Sequence, residues 1–135
     1  MANSLYNKGR EGFLDGSIDW DTDTIKVVLV DAADYTLDLV NHDNLDDILA
    51  AGRVATSAAL GSKTVTAGVA DAADVTLSSV TGDPFEYIIA YKDTGVEATS
   101  RLICCIDTAT SLPCTPNGGD ITIQWDSGAN RIFKL

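Results

Sequence analysis

One histidine, His42, and three cysteines, Cys104, Cys105 and Cys114, are the whole supply of soft metal ligands and of partners for nucleophilic catalysis in this 135-residue chain. No two cysteines stand in a C-x-x-C spacing, which excludes a zinc ribbon and a thioredoxin-type redox pair. The G-x-S-x-G elbow and the Walker phosphate loop are absent, and "GSKT" at 61–64 lacks the preceding glycine that a phosphate loop needs. Histidine-based catalysis would have to run through His42, which lies in "VNHDNLDD" beside Asp43 and reads as a loop or capping residue. Neither an enzyme nor a cofactor is expected.

Basic residues are also scarce. Nine Lys and Arg stand against twenty Asp and Glu, a formal net charge of −11 and a pI near 4.1. Sequence-neutral binding to a phosphate backbone works by counterion release through clustered Lys and Arg, so nucleic acid is not an expected partner. Eleven of the acids fall between Glu11 and Asp47, where Lys26 is the one base, so one face or edge should be strongly negative. No run approaches the roughly 18–20 apolar residues that span a bilayer, and "MANSLYNKGREGFLDG" lacks the apolar centre of a signal peptide. No membrane association is expected, and the chain reads as made and assembled in a reducing cytoplasm.

What the chain does have is ordinary globular composition, 45% hydrophobic and 21% charged, in a length suited to one core. The expectation is a single β domain over 1–135, with a helical arm at 1–15, a sheet core at 24–135 and a long loop at 32–52. In the arm, Leu5 or Tyr6, Gly9 and Phe13 recur at helical spacing with Ser4 as a candidate N-cap, and two interior glycines weaken the helix. Short β-branched runs follow: "TIKVVLVD", "RVATSAAL", "KTVTAG", "DVTLSSV", "FEYIIAYKD", "TSRLICCID", "DITIQWD" and "RIFKL". Gly, Asp, Asn and Pro punctuate them, which predicts an all-β antiparallel sandwich or barrel-like domain of seven or eight strands.

The stretch "GSIDWDTDTIKVVLVD" places Asp19, Asp21 and Asp23 at alternate positions. An EF-hand starting at Asp19 would need glycine and glutamate where Thr24 and Val30 stand, so that loop fails. The three aspartates read as the polar start of the first core strand, with weaker alternatives as an ad hoc calcium site or as catalytic acids, and Trp20 as an anchor beside them. Cys104 and Cys105, adjacent on a strand, should point to opposite faces, one inward and one outward or toward a neighbour. A pairing of Cys114 with one of them stays open, although a reducing compartment disfavours it. Tyr87, Ile89 and Tyr91 should share a core face.

Three longer words carry a family resemblance: "FLDGSIDWDTDTIKVVLVDAADYTLDLVNHDNLDDI" at 13–48, "AYKDTGVEATSRLICCIDTAT" at 90–110 and "NGGDITIQWDSGANRIFKL" at 117–135. Their F-L-x-G-x-I-D-W opening, Y-K-D-T-G segment and closing I-x-W-D stand here as Phe13 to Trp20, Tyr91 to Gly95 and Ile123 to Asp126. In these the chain resembles a family of small virion structural proteins of tailed bacteriophages. The resemblance implies a decoration or cement protein on the outer capsid of the virion, bridging major capsid protein subunits and neighbouring copies of itself, with a trimer as the candidate assembly; a tail or fibre component is the alternative. The expected contact residues are Leu5, Tyr6, Phe13, Tyr35, Leu39, Leu45 and Ile48, carried on an arm and a mobile loop appended to a self-sufficient sheet.

Overall fold

The computed structural model describes residues 3–135. Within them the chain forms β1 (Ser4–Leu5), α1 (Asn7–Asp15), β2 (Ile25–Val30), β3 (Arg53–Thr56), β4 (Thr64–Thr66), β5 (Val69–Asp71), β6 (Val75–Leu77), β7 (Tyr87–Lys92), β8 (Leu102–Ile106), β9 (Ile121–Ile123) and β10 (Phe133–Lys134). Every pairing is antiparallel, in three sheets ordered β1-β8-β7-β2-β3, β10-β5-β4 and β6-β9. The fold is therefore mostly sheet with one helix. The strands outnumber the expected seven or eight because β1 and β5 are too short to carry a visible alternation.

The central strands "IKVVLV", "YIIAYK" and "LICCI" are continuous apolar runs, the pattern of a sheet covered on both faces. On one face Ile25, Val27, Leu29, Ala90, Cys104 and Ile106 pack against Val75, Leu77 and Ile123 of the β6-β9 pair and Ala70 and Phe133 of the three-stranded sheet. On the other, Val28, Val30, Ile89, Tyr91, Leu102 and Cys105 meet Tyr6, Tyr35, Leu45 and Ile48. A register shift in β7–β8 pairs Ala90 with Cys104 but Tyr91 with Leu102, so Ile103 and Cys104 share a face. Cys104 and Cys105 do lie on opposite faces. Neither points outward, because both faces are covered.

That second cover corrects the expectation of a mobile 32–52 loop. The segment carries 3-10 turns at Leu45–Asp47 and Ala50–Gly52 and is sewn to the 96–102 region: Leu45 N donates to Ser100 O at 2.9 Å and Leu102 N to Asp43 O at 3.0 Å. Arg53 donates through Nε to Ile48 O at 2.6 Å and pairs with Glu97, also at 2.6 Å. Apolar burial and these bonds order the segment within the chain itself.

The arm is integral too. Ser4 is not the helix cap but a strand residue opposite Cys105, and Tyr6 occupies the N-cap with no side-chain cap bond. The glycines that weaken the helix let it approach the sheet: a Cβ on Gly9 would lie 2.7 Å from Ile103 O, and one on Gly12 would run into Ile18. Close packing outweighs the propensity loss of roughly 1 kcal/mol per glycine. With Tyr6 fully buried, the arm contributes a core side chain to the cover of the sheet.

Candidate functional site

The expected contact residues lie on the arm and the 32–52 segment, which meet where Tyr6 joins Tyr35, Leu45 and Ile48 on one face of the sheet, while the rest of the arm packs toward the other. Tyr6, Tyr35, Leu45 and Ile48 are buried in the domain's own core, Ile48 completely. Leu39 packs half-buried against them, and its carbonyl accepts from Asn7 N at 2.8 Å. Leu5 and Phe13 pack on the opposite core, Phe13 with its ring 5.6 Å from that of Phe133. The apolar groups that the arm and the segment turn to solvent are others: Leu14 is 89% exposed, Leu49 67% and Val40 64%, with Val96 at 57% on the turn that the segment is bonded to. Sequence spacing had selected the inward positions of each segment, and the outward ones are their immediate neighbours.

The polar heart of the meeting between arm and segment is a chain of three rings. Tyr6 Oη lies 3.0 Å from Tyr35 Oη, which lies 2.9 Å from His42 Nδ1. Burial pushes the Tyr35 phenol up to about 12, and burial together with Tyr35 holds Tyr6 well above the phenol range. Burial likewise raises the Cys104 thiol to about 12 and lifts Cys105 strongly. Thiols held protonated and enclosed are not nucleophiles, because the thiolate is the reactive form. Cys114 is half-buried and, like the other two, free.

Asp19, Asp21 and Asp23 lie in a turn rather than on a strand. Asp23 N donates to Asp19 O at 2.9 Å, Asp19 N donates back to Asp23 Oδ2 at 2.7 Å, and β2 begins two residues later. Asp23 also pairs with Lys92 at 3.0 Å. Asp19 and Asp21 share a side-chain hydrogen bond, which lowers the first and raises the second. Asp23 Oδ2 is thus held by the Asp19 backbone and Lys92, and the three carboxylates are not gathered into one cluster.

A second acidic group was not visible in the sequence. Carboxylate oxygens of Asp31, Asp34 and Asp83 lie within 4.8 Å of one another, and among the described residues no Lys or Arg pairs with any of them. Asp31 is buried at the end of β2 and accepts from Ala33 N at 2.8 Å. Asp83 arrives from the turn before β7, and no local pattern signals a partner that distant in sequence.

The residues of the three sequence words fasten the chain to itself. Lys92 Nζ donates to Ser17 O at 2.7 Å, and Lys26 pairs with Asp93 at 2.7 Å, joining the first word to the second. Trp20 Nε1 donates to Asp71 O and Trp125 Nε1 to Ala73 O, each at 3.0 Å, so two indoles from opposite ends of the chain hold the β5–β6 junction. Trp20 also meets the Phe133 ring edge-on at 5.2 Å. The class these features define is an antiparallel β domain with one helix, its histidine and all but one of its thiols turned to internal use. No protein-family model matches the chain, and no curated protein matches it. Among the described residues no helix is long and apolar enough to cross a membrane.

Proposed function

We propose that this protein is a non-catalytic structural component of a tailed-phage virion that decorates the outer capsid, its ten strands acting as one sandwich-like building block between major capsid subunits and neighbouring copies. The observation that carries the reading is the placing of the three resemblance words: Ser17, Trp20, Lys92, Asp93 and Trp125 serve as fastenings that join distant parts of the domain. Residues of that kind suit a protein whose work is to keep its shape under load. The strong negative charge favours solubility and mutual repulsion of particles. Contacts to the capsid then fall on Leu14, Val40, Leu49 and Val96 rather than on the buried residues beneath them.

Co-sedimentation of the purified protein with protein-depleted heads and with isolated tails at matched salt tests this. Saturable binding to heads is expected, and Leu14→Asp with Leu49→Asp should lower it at least about tenfold, the scale of losing two exposed anchors, while the melting temperature stays within a few degrees. Binding to tails alone would overturn the decoration role.

A further inference from the structure

Two unpaired strand edges border one slot. β3 ends the five-stranded sheet, and β6 has a partner, β9, on one side alone. Between them runs a cavity of about 370 Å³ lined by residues 54–58 and 76–81. These two segments hold Thr, Ser and Ala with Val54, Leu77 and Val80, and neither a charge nor a proline, the usual devices that keep an edge from pairing. On β3, Ala55 stands opposite Leu29 and Ser57 N donates to Val27 O at 2.8 Å. Antiparallel alternation therefore turns the N–H and C=O of Thr56 away from β2 and toward the slot.

One end of the slot is anionic. Gly82 sits behind Val54, with room for a Cβ at 3.7 Å from Val54 Cγ1, and the next residue, Asp83, joins Asp31 and Asp34 in the acidic group. An open backbone ladder calls for another extended backbone, small uncharged walls call for small uncharged side chains, and three carboxylates without a basic partner call for a cation.

We propose that the slot receives an extended segment of a different polypeptide, which adds a strand along β3 and β6 and sets a Lys or Arg against Asp31, Asp34 and Asp83. A second copy of this chain is a poor donor. Lys8, Lys26, Arg53, Lys92, Arg101 and Arg131 are already in ion pairs, and the remaining Arg10, Lys63 and Lys134 lie on α1, beside β4 and on β10, which are folded elements. The inference does not rest on the virion role, since ladder, lining and charge belong to the domain alone.

The test is an NMR titration of the full chain with terminally blocked octapeptides of alternating threonine and valine, bearing lysine at one terminus or at the other. One of the two should shift the amides of 54–58 and 76–81. Glutamate in place of the lysine should weaken it about fivefold, Asp83→Asn about threefold, as for partly exposed charge pairs, and a central proline should abolish binding by removing a ladder donor. No shift at millimolar peptide, shifts confined to other strands, or equal affinity of the lysine and glutamate peptides would overturn the proposal.

Discussion

The two faces of the five-stranded sheet are covered by different means. One is closed by strands: β5, β6, β9 and β10 lay Ala70, Val75, Leu77, Ile123 and Phe133 on it, with their backbone groups paired in ladders. The other is closed by a segment without strands, in which Tyr35, Leu45 and Ile48 supply the apolar cover while 3-10 turns, the Tyr6–Tyr35–His42 chain and Arg53 satisfy the polar groups. Burial is equally complete on both. What differs is how far a local disturbance spreads, because a ladder couples neighbouring strands and a side-chain network opens piece by piece.

The largest effect is expected from Phe133→Ala on the strand-covered face, which removes the ring that meets both Trp20 and Phe13. It should cost about 3–5 kcal/mol and shift chemical denaturation of the whole domain as one transition. Ile48→Ala on the other face should cost about 2–5 kcal/mol, with hydrogen exchange rising first at 43–52 and 99–102. Uniform loss of protection across β2, β7 and β8 in that variant would erase the distinction between the faces.

Alkaline pH separates the faces by chemistry. Tyr35 and Tyr91 are pushed up to about 12 and Tyr6 and Cys105 are strongly raised, all on the loop-covered side, against Cys104 at about 12 on the other. A raised value means that the fold prefers the neutral form. Its contribution is fully present below the ordinary thiol and phenol values of about 8.5 and 10 and is lost as pH rises toward the folded values. The melting temperature should thus fall above about pH 9, with Tyr35 fluorescence and exchange at 43–52 changing before the β5–β10 signals do.

The smallest effect is a gain. The β4–β5 hairpin turns through Ala67 at φ 53° and Gly68 at φ 78°, both left-handed, and alanine is a poor residue for the first of these. Ala67→Asn should stabilise by about 0.5–1 kcal/mol, read as a higher denaturation midpoint at unchanged slope. Because the hairpin belongs to the strand-covered side, protection at 43–52 should not change.

Much of the sheet was legible because period-two, β-branched runs such as "TIKVVLVD" and "FEYIIAYKD" pair through their own backbones. Tyr87, Ile89 and Tyr91 do share a face, and Trp20 does anchor its turn. The contact residues were harder to read. Tyr6, Tyr35 and Ile48 carry the same apolar signal whether they meet a partner or the domain's own sheet, and one-dimensional spacing does not distinguish the two. For Gly9 the propensity cost was legible because it is local, while the partner it docks against, Ile103, lies far along the chain.

By itself the sequence determined the secondary-structure class, the acidic balance and the absence of a C-x-x-C spacing, since these depend on composition and on spacings of a few residues. Tertiary structure alone decided that the 32–52 segment is a core layer, that Cys104 and Cys105 are both buried, and that Asp83 joins Asp31 and Asp34 beside an open pair of strand edges. Each of those is a meeting of residues distant in the chain, fixed by which apolar surfaces close on one another.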